Sequence, residues 1–78
     1  MELSKEMRSL AVQTKDKWVK GKAEMLCLML NYYYQEKITS SQMSGFFEEV
    51  ENEVPHEGVD QELYDRLIAE VQTHSLEI

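Results

Sequence analysis

The sequence predicts an all-α fold: a small compact bundle of three helices, or four if the first helical region breaks near residues 13–21. Three observations carry this. Apolar residues recur at helical spacing over most of the chain. Two helix starts are marked by capping residues at Thr39 and Asp60. Apolar and polar residues nowhere alternate for long, so no strand is signalled.

The first helical region opens with Ser4 as a possible N-cap and keeps helical character to about Lys37. Leu3, Met7 and Leu10 fall on one face. After Thr14 the core face moves to Val19, Ala23, Leu26, Leu30 and Tyr33. A stripe that changes direction needs either one bent helix of about 33 residues, ~50 Å long, or a break between Gln13 and Gly21. The shift favours a break or bend. Gly21 adds about 1 kcal/mol of helix-interior cost relative to Ala.

The second helix has the sharpest start. Thr39-Ser40-Ser41-Gln42 fits a capping box, with Ile38 and Met43 placed for a hydrophobic staple. Its apolar residues are Met43, Phe46, Phe47, Val50 and Val54. Pro55 ends it, and Pro-His-Glu-Gly makes the turn. The third helix opens at Asp60, with Glu62 and Asp65 near its positive end. Leu63, Tyr64, Leu67, Ile68 and Val71 form its stripe. His74 stands near its end, favourable if protonated, and needs no ligand role.

With 78 residues the chain is read as a single helical domain, 1–78, with one small core. Such a chain folds by a narrow margin and relies on tidy helix packing or a second chain. Cys27 is the only cysteine, so no intrachain disulfide forms, and a lone thiol suits a reducing compartment. Cys27, His56 and His74 lack metal-ligand spacing, so no metal and no cofactor is expected. The start Met1-Glu2-Leu3-Ser4 lacks a signal-peptide pattern. The run Met25–Leu30 is far short of the ~20 residues that span a bilayer. The expected setting is cytoplasmic, with no membrane contact, and a host's cytoplasm if the chain is phage-encoded.

The net charge is −7, unevenly spread. Residues 1–37 hold seven Lys/Arg and five Asp/Glu, a balance of +2, whereas residues 38–78 hold one Arg and ten acids, a balance of −9. The acidic half repels nucleic acid and attracts basic surfaces.

The segment MLCLMLNYYY, residues 25–34, carries more apolar surface than one core stripe needs. On a wheel of ~100° per residue the apolar arc is roughly 250° wide. A surface helix needs little more than about 100°. The surplus is Trp18, Met25, Leu28 and Tyr32, nearly aligned along one edge, with Leu28 among the polar positions. Trp and Tyr are frequent interface anchors, and Met adapts its shape to a partner. Met7 and Leu10 of an N-terminal arm could cover Trp18 or Met25. Leu28 and Tyr32 point instead to a second chain, either a copy or a foreign target.

Glu48, Glu49, Glu51, Glu53, Glu57, Asp60 and Glu62 form an acidic strip, with Asp65 beyond. Most lie beside the apolar positions, on the solvent side. This excludes acid–base catalysis by a buried pair and leaves a solvated face or a surface for a basic partner. The loop Val54–Asp60 lacks the alternating acids of an EF-hand. Cys27 lies in an apolar run where a thiol is inert. No catalytic motif is present, and the chain reads as non-enzymatic. Lys15, Lys17, Lys20 and Lys22, with Trp18 among them, could hold phosphates and stack a base. The helix after Asp60, however, holds one Arg and four acids, which opposes groove insertion.

In size and charge the chain resembles the small acidic inhibitors that phages direct against host or defence nucleic-acid enzymes. It is also similar in type to nuclease immunity proteins, although no motif places it in a named family. The expectation is an inhibitor or regulator that blocks a basic, nucleic-acid-handling protein, by nucleic-acid mimicry in one version. The alternatives are a helical homodimer or assembly subunit, and less readily a direct nucleic-acid binder through the Lys cluster.

Overall fold

Four helices build the structure, a computed structural model that describes residues 5–78: α1 (Lys5–Gln13), α2 (Lys17–Tyr34), α3 (Ser40–Asn52) and α4 (Gln61–Glu77). Leu3 and the Ser4 cap lie outside the described residues. No strand occurs among those described.

The first helical region breaks, as the change in stripe direction favours. Thr14-Lys15-Asp16 is non-helical, and Asp16 restarts the chain as the N-cap of α2, its carboxylate accepting from the Trp18 and Val19 N–H groups. Helical structure stops at Tyr34, short of the expected Lys37. The reason is a Schellman turn: the Glu36 N–H donates to Tyr33 O (3.0 Å) and the Lys37 N–H to Tyr32 O (2.9 Å). Glu36 takes the left-handed position (φ 60°) that glycine usually fills.

Thr39 and Gln42 form the full capping box at the start of α3. Ile38 packs against the core, of which Met43 is a buried member. Asp60 caps α4 through the Leu63 N–H (3.2 Å). Val54 departs from expectation. Helix α3 ends at Asn52, the chain extends at Glu53 ahead of Pro55, and Val54 is 87 % exposed. The residue before a proline is pushed to extended backbone, which removes Val54 from the helical register. Gly58 (φ 83°) makes the turn into α4.

Helix α4 touches all three others, whereas α1 and α3 do not meet. Helices α2 and α4 are thus the inner pair, flanked by α1 and α3. The core is Met7 from α1, Val19, Ala23, Leu26 and Leu30 from α2, Met43, Phe47 and Val50 from α3, and Leu63, Leu67 and Val71 from α4. Leu10, Tyr33, Phe46, Tyr64 and Ile68 are half-buried against it. Each fully buried large side chain contributes about 1.5–3 kcal/mol. His74 joins this interior and is only 6 % exposed, deeper than its place near a helix end suggests. Glu70 lies 3.7 Å from its Nε2 and Glu77 3.8 Å from its Nδ1.

Gly21 and Gly45 both sit mid-helix and exposed, and a Cβ at either would meet nothing within 4 Å. Each carries the glycine cost of about 1 kcal/mol without any intrachain close approach to explain it.

Leu67→Ala is expected to lower unfolding free energy by about 2–5 kcal/mol, while Val54→Ala changes it by less than about 0.5 kcal/mol, both read by urea titration. Equal losses would mean Val54 packs in solution. Glu36→Gly should stabilise by about 1 kcal/mol, because it relieves a left-handed residue; an unchanged melting temperature would show that the turn stores no strain.

Candidate functional site

Three regions are candidates for a functional site: the node around Asp16, the outward face of α3 and the outward edge of α2.

The node starts from the helix break. Ending α1 at Gln13 leaves the first N–H groups of α2 without intrahelical partners, and Asp16 supplies one carboxylate for them. Its Oδ1 accepts from Trp18 N–H (3.1 Å) and Val19 N–H (3.3 Å). Its Oδ2 accepts from Asp60 N–H (2.9 Å), at the start of α4. His56 Nε2 stands 3.0 Å from both oxygens, and His56 Nδ1 is 2.8 Å from Glu57 O. Carbonyl and carboxylate oxygens only accept, so the protonated ring is the form that satisfies both contacts at once.

Desolvation pulls the Asp16 pKa up. The Asp60 N–H, the His56 ring, the Val19 N–H and the His56 charge outweigh it and hold the carboxyl below its usual 3.8. His56 is raised above its usual 6.5 by its hydrogen bond to Asp16 and then by the one to Glu57 O; desolvation opposes them, and the Asp16 charge adds a smaller upward push. With both nitrogens donating internally, His56 has no lone pair with which to take a proton. The pair ties the α3–α4 connection to the head of α2.

Trp18 belongs to this node. Its ring stacks on Tyr64 at 6.3 Å, meets His56 edge-on at 5.4 Å and carries Lys22 Nζ 5.7 Å from its centroid. The cover expected from Met7 and Leu10 comes from His56 and Tyr64 instead. Met7 is spent in the core, and the break at Thr14–Asp16 turns α1 towards α4.

The acidic residues do not lie on one strip. Gly45, Glu48, Glu49, Asn52 and Glu53 line a shallow, open groove along α3 and its C-cap. Glu51 is exposed on the same helix. Glu53 is half-buried and paired with Lys22 of α2. Asp60 is used as a cap, Glu57 stands exposed on the connection, and Glu62 lies beside Lys5 and Leu10 of α1. The lysines are also divided. Lys15 and Lys17 stand by Trp18 and His56, Lys20 lines a groove against α1, and Lys22 is held by Glu53.

Of the apolar edge, Met25 (45 %), Leu28 (43 %) and Tyr32 (37 %) are exposed, while Trp18 is half-buried. Cys27 is half-buried, 3.8 Å from Asn31 Nδ2. Among the described residues, no three His, Cys, Asp or Glu side chains stand close enough to hold a metal, and no helix is long and apolar enough to cross a membrane.

The Asp16–His56 pair is absent from the sequence reading. One half was findable: an Asp just before the α2 stripe is an N-cap signal. No family model, curated protein or solved structure matches this chain.

The node gives a signed pH dependence. Asp16 is depressed, so its contribution is present above about 3.8 and is lost as pH falls through its lower folded value. His56 is raised, so its contribution is full below about 6.5 and is lost as pH rises through its higher folded value. Melting temperature should therefore fall as pH rises above about 6.5, and His56→Gln should flatten that decline. Parallel declines in both proteins would assign the effect elsewhere.

Proposed function

We propose that this chain is a non-enzymatic protein-binding module that presents its acidic groove to a basic partner. The observation that carries the reading is the outward face of α3, where Glu48 and Glu49 stand exposed beside Gly45 and Asn52. A glycine without packing neighbours lets a partner's side chain descend to the helix backbone. Flanking carboxylates suit an arginine or lysine there. The balance of −9 over residues 38–78 would steer a basic protein in and keep nucleic acid out. A nucleic-acid-handling protein, blocked by occupation of its phosphate-binding surface, fits this chemistry, and the chain then acts as an inhibitor or regulator.

Direct nucleic-acid binding is the weaker reading. Trp18 is engaged by three side chains and Lys22 is paired, so the stacking and phosphate groups that it needs are partly spent.

The reading predicts that the tagged protein captures a basic protein from its native host and releases it with salt. Glu48→Lys with Glu49→Lys should weaken capture at least about tenfold, near 1.4 kcal/mol, with melting within about 0.5 kcal/mol of the parent. Capture that survives the double reversal would remove the groove from the mechanism.

A further inference from the structure

We infer that two copies of this chain pair through the outward edge of α2, antiparallel, about a two-fold axis between Met25 and Leu28. Trp18, Gly21, Met25, Leu28, Tyr32 and Gln35 follow the alternating three- and four-residue spacing of a coiled-coil seam. The core stripe of α2 is Val19, Ala23, Leu26 and Leu30. The seam lies across the helix from it, and Gly21, Met25, Leu28 and Tyr32 are all exposed.

Three features select a second copy, turned end for end, as the occupant. The first is shape. Reversing α2 about that axis sets Met25 against Leu28 and Tyr32 against Gly21. Gly21 has no side chain and nothing within 4 Å of a Cβ, so it leaves room for the partner's tyrosine ring. A parallel pair would set Gly21 against Gly21 and Tyr32 against Tyr32, a hole in one layer and a clash in another. Isologous contacts require this kind of self-complementarity.

The second feature is charge. Each copy carries −7 in all, but α2 holds Lys17, Lys20 and Lys22 against one acid, Glu24. Two copies can meet here without opposing their acidic helices, whereas a basic partner would face those lysines. The third is polarity. Lys15 and Lys17 crowd the N-terminal end of α2, where positive charge is unfavourable. No ion pair joins either lysine, or Glu36 at the other end, to a described residue. Antiparallel pairing brings the lysine end of each α2 beside the partner's negative helix end and Glu36. Lys37 at that end is held 5.6 Å from the Tyr32 ring centroid.

The seam is separate from the acidic groove, so either can fail alone. Sedimentation of the full chain from about 1 to 100 µM, a span covering micromolar affinity, should show a concentration-dependent dimer. Leu28→Glu should weaken it at least tenfold with the far-ultraviolet helix signal retained. Gly21→Leu should do the same while raising the melting temperature, because it fills the hole yet improves helix propensity. Cys27→Ser protein carrying Met25→Cys, mixed with Cys27→Ser protein carrying Leu28→Cys, should form a mixed disulfide faster than either forms with itself.

A parent that stays monomeric throughout overturns the inference. So does a dimer that Gly21→Leu and Leu28→Glu leave intact, and so does self-linking that outpaces mixed linking, the mark of a parallel pair. Unfolding of Leu28→Glu would place Leu28 in the core and overturn it as well. Gly21→Leu, at a position with open space, tests the seam without touching Leu28.

Discussion

One carboxylate holds the architecture together. Asp16 lies where α1 stops, and its two oxygens accept from the head of α2, from the head of α4 and from His56 in the connection before α4. The start of α2, which Asp16 caps, and the start of α4, which Asp60 caps, are thereby joined at one point. Its side chain is 8 % exposed, so an ionised group has been removed from water. That is tolerable because four donors surround it, one of them charged. Trp18, positioned by the same carboxylate, then fills the space between α2, Tyr64 and His56. The polar node and the aromatic cluster support each other.

The two faces proposed as binding surfaces follow from how the helices are layered. Because α2 and α4 form the inner pair, each spends one side on the core. Helix α2 is apolar over more of its circumference than its neighbours cover, and the remainder is exposed as Met25, Leu28 and Tyr32. Helix α3 is amphipathic in the ordinary way, and its outward side collects carboxylates. The ion pair Lys22–Glu53 marks the border between the two. The chain thus separates an apolar, slightly basic face from an acidic one, and each suits a different occupant.

Most of the fold was legible because it rests on local rules. The capping box at Thr39, the cap at Asp60 and the stripes of α2, α3 and α4 all follow from spacing within one helix. The turn in direction after Thr14 foretold a break, although not its residue. Val54 misled because its spacing was helical while Pro55 forbade the conformation. His74 and Trp18 were harder, since their burial depends on tertiary packing: the packing of α4 draws His74 inward, and residues 56 and 64 cover residue 18. The acidic strip read as continuous for the same reason. Sequence order places Glu53, Asp60 and Glu62 together, whereas the structure gives Glu53 to Lys22, makes Asp60 a cap and turns Glu62 towards α1.

The reach of Asp16 also bears on how fast the molecule comes apart. Its bonds to His56 and Asp60 close loops of 40 and 44 residues, whereas most of the fold is built from contacts within a helix turn. Helix turns form in well under a microsecond, and distant groups meet only after the chain has collapsed. A bond closed late in folding is opened early in unfolding, so it acts on the escape rate and hardly on the rate of formation. The Asp16 node is then a latch on the lifetime of the native state, set on a bundle whose local signals suffice to assemble it.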